Sequence, residues 1–182
     1  MALWSKEEWA LGEDGVPTRH AARVIFISED GHTLLMQGHD SLDPTYRWWF
    51  TVGGGIETGE TPAQAAQREI FEETGYRANI QELVGPVIER DARFQFTDRD
   101  RRQIEYIYLV RTPRFAPDAK RWTQTEQNLV DRLEWVPIAK LSELDKETQI
   151  YPTELIELIP ALHSNGWDGT CVKIDEYNEN GA

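Results

Sequence analysis

Glutamate residues are concentrated in one short segment of this 182-residue chain, between positions 54 and 76. The segment reads GGIETGETPAQAAQREIFEETGY, with glutamates at positions 57, 60, 69, 72 and 73. If its second half is helical, Glu69 lies about one turn from both Glu72 and Glu73, because an α-helix has about 3.6 residues per turn. Carboxylates this close repel one another and favour a bound cation. Oxygen ligands without histidine or cysteine are typical of Mg²⁺, Mn²⁺ or Ca²⁺ rather than zinc.

A helix and a run of glycines are predicted to position these carboxylates. Thr61 as N-cap, Pro62 at the first helical position and Gln64 at the third are a clear helix start. The helix is predicted to end just before Gly75, which is a typical left-handed cap residue. The glycine run ahead of the helix lets the backbone approach a cation closely, and the carbonyl oxygen of Gly54 is our candidate for a further ligand.

The spacing across the whole segment distinguishes it from a glutamate-rich helix that is merely solvated. Gly54 is followed by five residues and Glu60, and seven further residues separate Glu60 from the run REIFEETGY at positions 68–76. This arrangement matches the Nudix box at each defining position, so the chain resembles the Nudix hydrolase family. The preceding residues WFTVG resemble the usual lead-in to the box, with Val52 where proline is common, a difference that removes no ligand.

The resemblance implies a fold, an α/β/α sandwich around a mixed β-sheet, over residues 18–163. Residues 1–17 are predicted to be an N-terminal extension with a short helix from Ser5, and residues 164–182 a polar tail that we expect to be loosely held. The remaining pattern mixes strand-like and helical segments without strict alternation, which favours the same architecture. The predicted elements are strands near 21–28, 48–52, 80–84, 87–96, 103–111 and 133–136, helices near 61–74 and 153–163, and a loop at 97–102.

The resemblance also implies a reaction. Nudix enzymes typically hydrolyse the diphosphate linkage of a nucleoside diphosphate joined to another group, by attack of water on phosphorus, with Mg²⁺ or Mn²⁺ as cofactor. By the same resemblance Glu69, Glu72 and Glu73 are expected to ligate the metal, together with Gly54. Arg68 is expected to orient these carboxylates as part of the catalytic set.

The sequence leaves open which acid accepts the proton of the attacking water. Glu69 is one candidate. Glu126 is another, because the family often takes its base from a loop before a late strand, and Glu126 stands ahead of the strand around Trp135. Glu89 and Glu105 are alternatives on strands whose facing the sequence does not determine.

Aromatic side chains on the predicted strands could stack on a nucleotide base, and Trp48, Phe94 and Tyr106 are the candidates. Most aromatic residues at alternating strand positions belong to the core, so each of the three has a structural alternative. Arginines in the loop at 97–102 could contact phosphates, although such a loop is more often simply solvated.

Charge and composition limit the partners of the chain. With 32 acidic and 19 basic residues the formal net charge is -13, which repels nucleic-acid phosphates. We therefore expect a small nucleotide-type substrate and no DNA, and the charge argues against RNA.

No apolar stretch approaches the roughly 20 residues of a membrane span. The lack of a signal-peptide pattern and the single cysteine, Cys171, favour the cytoplasm. A Trp-bearing N-terminal helix could serve a homodimer.

Three other functions fit parts of the pattern. A Nudix-like sensor module binds a nucleotide without cleaving it, but such proteins tend to lose box glutamates, and this chain keeps them all. Prenyl-diphosphate isomerases of the same fold depend on a catalytic cysteine, and Cys171 lies outside the expected core. Decapping of RNA is disfavoured by the net charge of -13. Hydrolysis is therefore the leading interpretation, with the sensor as its alternative.

Overall fold

The computed structural model describes residues 9–96 and 99–178, without the side chains of residues 94–96, 99, 177 and 178. The short helix expected from Ser5 lies outside the described residues. Within them, strands and helices are arranged as three layers, with helices on both sides of a central mixed sheet.

Nine strands of the described chain form the sheet. They are β1 (Ala10–Leu11), β2 (Pro17–Ile27), β3 (His32–His39), β4 (Arg47–Phe50), β5 (Val52–Gly55), β6 (Val84–Phe96), β7 (Arg99–Arg111), β8 (Val130–Pro137) and β9 (Val172–Asn178). The main order is β4-β3-β2-β7-β6-β9, with β1 and β5 paired to β2 and β8 paired to β3. Strand β2 is central, since it pairs in parallel with β7 and antiparallel with β5.

Four α-helices are found in the same part of the chain, and they cover the two faces of the sheet. They are α1 (Pro62–Thr74), α2 (Gln124–Leu129), α3 (Leu141–Glu147) and α4 (Leu155–Asn165). Among the described residues, no helix combines the length and apolar character needed to cross a membrane.

Alternation along β2 builds a separate core on each face of the sheet, because successive side chains of a strand point to opposite sides. Val24 and Phe26 pack on the α1 side with Ile70. Ile25 and Ile27 pack on the other side, among residues of α3 and α4. The predicted α/β/α sandwich around a mixed sheet is confirmed.

Two expectations about the edge of the sheet are wrong. The loop predicted at 97–102 does not extend past Arg99, where β7 begins and pairs with β6. The tail expected to be loosely held contributes β9, whose residues 172–178 pair in parallel with β6. Residues 99–102 are polar, and the alternation of Val172 and Ile174 in β9 is too short to predict a strand by itself. Backbone hydrogen bonds to a neighbouring strand make both segments strands.

Candidate active site

Helix α1 begins and ends where the sequence predicts. The Thr61 hydroxyl accepts a hydrogen bond from the N–H of Gln64 at 3.3 Å, and the Gln64 side chain accepts one from the N–H of Thr61 at 2.9 Å. At the other end Gly75 adopts a φ of 75°, and its N–H donates to the carbonyl oxygen of Phe71 at 3.0 Å. These caps satisfy backbone groups at both ends and define the turn that carries residues 69–73.

One face of α1 presents Glu69 and Glu73 to strand β5, and both are nearly buried, with exposed fractions of 7% and 4%. The N–H of Gly53 donates to Oε2 of Glu73 at 2.6 Å. The Glu69 carboxylate lies against Gly54, where an added Cβ would come within 2.6 Å of its Oε1. Gly53 has a φ of 134°, and a Cβ there would lie 2.2 Å from the carbonyl oxygen of Ala22. The glycine run therefore makes room for the carboxylates.

Arg68 joins the loop before α1 to the glutamates of the helix. Its guanidinium donates to both oxygens of Glu60, at 2.8 and 2.9 Å. It also donates to Glu69 at 2.7 Å, to Glu72 at 3.0 Å and to the carbonyl oxygen of Gly55 at 2.8 Å. The hydrogen bonds from Arg68 lower the pKa of Glu60. Arg68 thus contacts Glu69 and Glu72, and its role in orienting them stays a prediction.

Glu126 is brought to the same place by the tertiary fold. It lies in the first turn of α2, where the N–H of Thr123 donates to its Oε2 at 2.5 Å in a capping box. One carboxylate oxygen from each of Glu69, Glu73 and Glu126 lies within 4.8 Å of the other two. We call these three residues the glutamate cluster.

Burial and mutual repulsion oppose ionisation within the glutamate cluster. Burial raises the pKa of Glu69, and the charges of Glu72 and Glu126 raise it further. Burial also raises the pKa of Glu73 well above its usual range, with the charge of Glu69 as the next cause. A divalent cation among these oxygens would relieve both effects. The donors are hard carboxylate oxygens beside the bare backbone of Gly54, so the cluster could hold a metal ion, and it fits Mg²⁺ or Mn²⁺.

Glu72 is placed differently from the other two glutamates predicted as ligands on α1. Its side chain is 46% exposed and pairs with Arg68. Among the acids described, the converging set consists of Glu69, Glu73 and Glu126. Glu72 is close enough for its charge to affect Glu69, and its role as a ligand stays a prediction.

Two of the four candidate bases are engaged in other ion pairs. Glu105 is 1% exposed and accepts hydrogen bonds from Arg23 at 2.6 Å and from Arg90 at 2.7 Å. Burial alone would raise its pKa, but the two guanidinium groups prevail and lower the pKa of Glu105 to about 2. Glu89 forms an ion pair with Lys173. Glu69 and Glu126 are therefore the two candidates that the fold brings together.

Of the three predicted aromatic candidates, Tyr106 lines an open groove of about 390 Å³, together with His20 and Glu60. The rings of Tyr106 and His20 are nearly parallel, with an angle of 12° and centroids 6.2 Å apart. Arg68 separates this groove from the glutamate cluster, because it bonds Glu60 on one side and Glu69 on the other.

Trp48 and Phe94 are not brought to this groove by the contacts that the structure describes. Trp48 is half-buried on β4 and packs on Tyr46, with ring centroids 5.5 Å apart. The backbone of Phe94 pairs with Arg101 in the β6–β7 ladder, and its side chain lies outside the described residues. Their roles in substrate binding stay predictions.

His20 and Arg19 also line the groove. They are not among the predicted site residues, because the first long strand was predicted to begin only at Ala21. Strand β2 begins at Pro17 instead. The signal was available, since extending the alternation of this strand toward its start puts His20 on the same face as Val24.

Comparison with known proteins assigns the chain to a family. The sequence profile described as the NUDIX domain matches residues 17–159, and the chain therefore belongs to the NUDIX family. The resemblance inferred from the box at positions 54–76 is confirmed.

Individual relatives share about a third of the aligned residues with this chain, over part of its length. The chain is similar to diphosphoinositol polyphosphate phosphohydrolase 2 of Rattus norvegicus, at 29% identity over 120 residues, which covers 66% of this chain but only 58% of that protein. It is 36% identical over 74 residues to an RNA pyrophosphohydrolase of Mesorhizobium japonicum, covering 37% of this chain and 42% of the relative. The solved structure of a NUDIX hydrolase from Nitrosomonas europaea aligns with a TM-score of 0.56 at 20% identity, covering 81% and 89% of the two chains. That likeness shows a shared fold.

Proposed function

We propose that this chain is a metal-dependent hydrolase that cleaves the diphosphate linkage of a nucleoside diphosphate joined to another group. The observation that carries the proposal is the glutamate cluster, in which oxygens of Glu69, Glu73 and Glu126 converge within 4.8 Å. An acidic chain of net charge -13 needs a local positive charge to bind a diphosphate. Mg²⁺ or Mn²⁺ held by Glu69 and Glu73, with Gly54 and Glu72 as further ligands, would neutralise phosphate charge and make a bound water more acidic.

Glu126 is the general base in this proposal. Glu69 is the less suitable candidate, because its carboxylate is buried and is already bonded to Arg68 at 2.7 Å. Glu126 is half-buried rather than buried, so it can receive a proton and return it to solvent. Its capping box with Thr123 holds the side chain at the start of α2.

The groove at Tyr106 is the proposed binding site for the nucleoside part of the substrate. The rings of Tyr106 and His20 are nearly parallel, and a base of any kind can stack on an aromatic ring. Arg19 supplies a positive charge at the edge of the groove. Because Arg68 links the groove to the glutamate cluster, a substrate bound to both would place its diphosphate near Glu69.

The experiment that tests this proposal is a panel of diphosphate compounds offered to the purified chain, with Mg²⁺ and with a chelator. The panel contains nucleoside diphosphates joined to a sugar or a second nucleotide. The panel also contains a diphosphoinositol polyphosphate and an RNA with a pyrophosphate, because the two relatives are named for these classes of substrate. Release of phosphate or a monophosphate with Mg²⁺, absent with chelator, supports the proposal. Binding without release would identify the sensor module instead. The absence of both binding and release would overturn the proposal.

Expectations about the protein as a whole stay predictions. They are the domain limits at residues 18 and 163, a homodimer, the cytoplasmic location and the expectation that the net charge disfavours RNA. Size-exclusion chromatography with light scattering tests the homodimer directly, and the RNA arm of the panel tests the expectation about RNA.

A further inference from the structure

Arg23 and Glu105 form a buried ion pair on neighbouring strands β2 and β7. The Glu105 carboxylate accepts hydrogen bonds from Arg23 at 2.6 Å, from Arg90 at 2.7 Å and from the Gln103 amide at 2.6 Å. A buried ion pair costs desolvation of both charges, and its replacement by apolar residues is often neutral for stability. Since apolar residues could serve the fold equally well, the presence of a charged pair at this position needs a further explanation.

The far end of the Arg23 guanidinium reaches the backbone next to the glutamate cluster. Its Nη1 donates to the carbonyl oxygens of Thr51 at 3.0 Å and Gly53 at 3.2 Å. Antiparallel pairing of β2 with β5 sets Arg23 opposite Gly53. Gly53 in turn donates its N–H to Glu73 at 2.6 Å. The strand segment 51–53 is thus bonded to an arginine on one side and to a cluster glutamate on the other.

We propose that Arg23, held in place by Glu105, is a positioning residue for the Gly53–Gly54 backbone and through it for Glu73. The planar guanidinium presents several N–H groups in fixed directions, so Arg23 bonds a carboxylate and two carbonyls at once, which the single ammonium of lysine does not reproduce. Without this fork the two carbonyls lose the guanidinium hydrogen bonds, and the Gly53 amide is less strongly held toward Glu73. This positioning role depends on the proposed function in one respect only, namely that the glutamate cluster binds a metal ion.

The first test needs no metal. A short N–H···O⁻ hydrogen bond shifts the amide proton downfield, so the Gly53 resonance should be downfield in the metal-free protein. Selective ¹⁵N-glycine labelling makes it assignable, because the chain has 13 glycines. We expect Arg23→Lys and Glu105→Gln each to move this resonance upfield. The matched control is Asp91→Asn, which breaks a half-buried ion pair with Arg102 between β6 and β7.

The second test is Mn²⁺ binding followed by electron paramagnetic resonance. Loss of a residue that orients metal ligands typically weakens metal binding by about 10- to 100-fold, so we expect both variants to bind Mn²⁺ at least about tenfold more weakly than wild type. Asp91→Asn should bind like wild type. Circular dichroism confirms folding of each variant, and Arg23→Lys decides the question if Glu105→Gln does not fold, since it keeps the charge that pairs with Glu105.

Two results would overturn the positioning role. One is a Gly53 resonance that is not downfield in wild type; the other is a folded Arg23→Lys variant with the resonance and Mn²⁺ affinity of wild type. A wild-type protein that binds no Mn²⁺ would instead remove the proposed function, and the metal-free amide comparison would still decide the role of Arg23.

Discussion

The backbone N–H of Gly53 and the carboxylate of Glu73 are joined by a hydrogen bond of 2.6 Å, which ties strand β5 to helix α1. Glu73 is 4% exposed, and burial raises its pKa well above the usual range even though this bond favours the ionised form. The site therefore destabilises the folded chain electrostatically, because it holds buried carboxylates close enough to repel one another. A bound cation would offset this repulsion, and several predictions test that relationship.

Glu73→Gln should reduce turnover of the substrate found in the panel by at least about 10²-fold. Loss of a metal ligand weakens the stabilisation of charge in the transition state, which is worth several kcal/mol in such sites. Steady-state kinetics with saturating Mg²⁺ provide the measurement. Glu134→Gln, an exposed acid on β8, is the control and should behave like wild type. Unchanged turnover in Glu73→Gln would remove Glu73 from the ligand set.

The same variant should be no less stable than wild type in the absence of metal. Since the folded-state pKa of Glu73 is raised, ionisation of Glu73 destabilises the folded chain, and stability should rise as pH falls through the raised pKa toward the usual range of a glutamate. Glutamine removes the charge and still accepts the Gly53 hydrogen bond. Thermal unfolding in a chelator checks this. Added Mg²⁺ should raise the melting temperature of wild type and of Glu134→Gln. The melting temperature of Glu73→Gln should rise much less. A clear metal-free destabilisation would contradict the electrostatic argument.

Glu126→Gln should lower kcat by about 10²-fold, the usual contribution of a general base. Gln124→Ala, in the same helix α2, is the matched control. Activity of Glu126→Gln within about threefold of wild type would make Glu126 a bystander and return the role to Glu69.

Tyr106→Ala should raise KM about tenfold with little change in kcat, because stacking of a base on an aromatic ring is worth about 1–3 kcal/mol and acts on binding. Tyr106→Phe keeps the ring and should retain the KM of wild type. If both variants match wild type, the nucleoside does not lie in the groove with His20.

Glu105→Gln should lower the free energy of unfolding near pH 7 by about 3 kcal/mol, since the pKa of Glu105 is lowered from 4.5 to about 2 and each unit is worth about 1.4 kcal/mol. A carboxyl with a lowered folded-state pKa stabilises the protein above its unfolded pKa, and this contribution is lost as pH falls from about 4.5 to 2. Urea unfolding of both proteins at about pH 7, 5 and 3 should therefore show an equal difference at the first two and about half of it at the third. A difference independent of pH would mean that the carboxylate is not ionised in the folded chain.

The local parts of the site could be predicted from the sequence because their causes are local. The capping box at Thr61 and the left-handed Gly75 depend on residues three or four positions away, so α1 begins and ends as predicted. Helical periodicity then places Glu69 and Glu73 one turn apart, on one face. Strand β9 was missed for the opposite reason, since its only distinguishing feature is the partner strand β6.

The sequence by itself determined the family, the helix that carries the glutamates and the glycines that face it, because a motif of fixed spacing records contacts within one short segment. Only the tertiary structure decided which distant residues join that segment. It brings Glu126 to Glu69, buries Glu105 with Arg23 and leaves Glu72 at the surface. The physical reason is that strand pairing and packing between layers join residues far apart in the chain, and no local pattern encodes which side chains then share a buried, low-dielectric space.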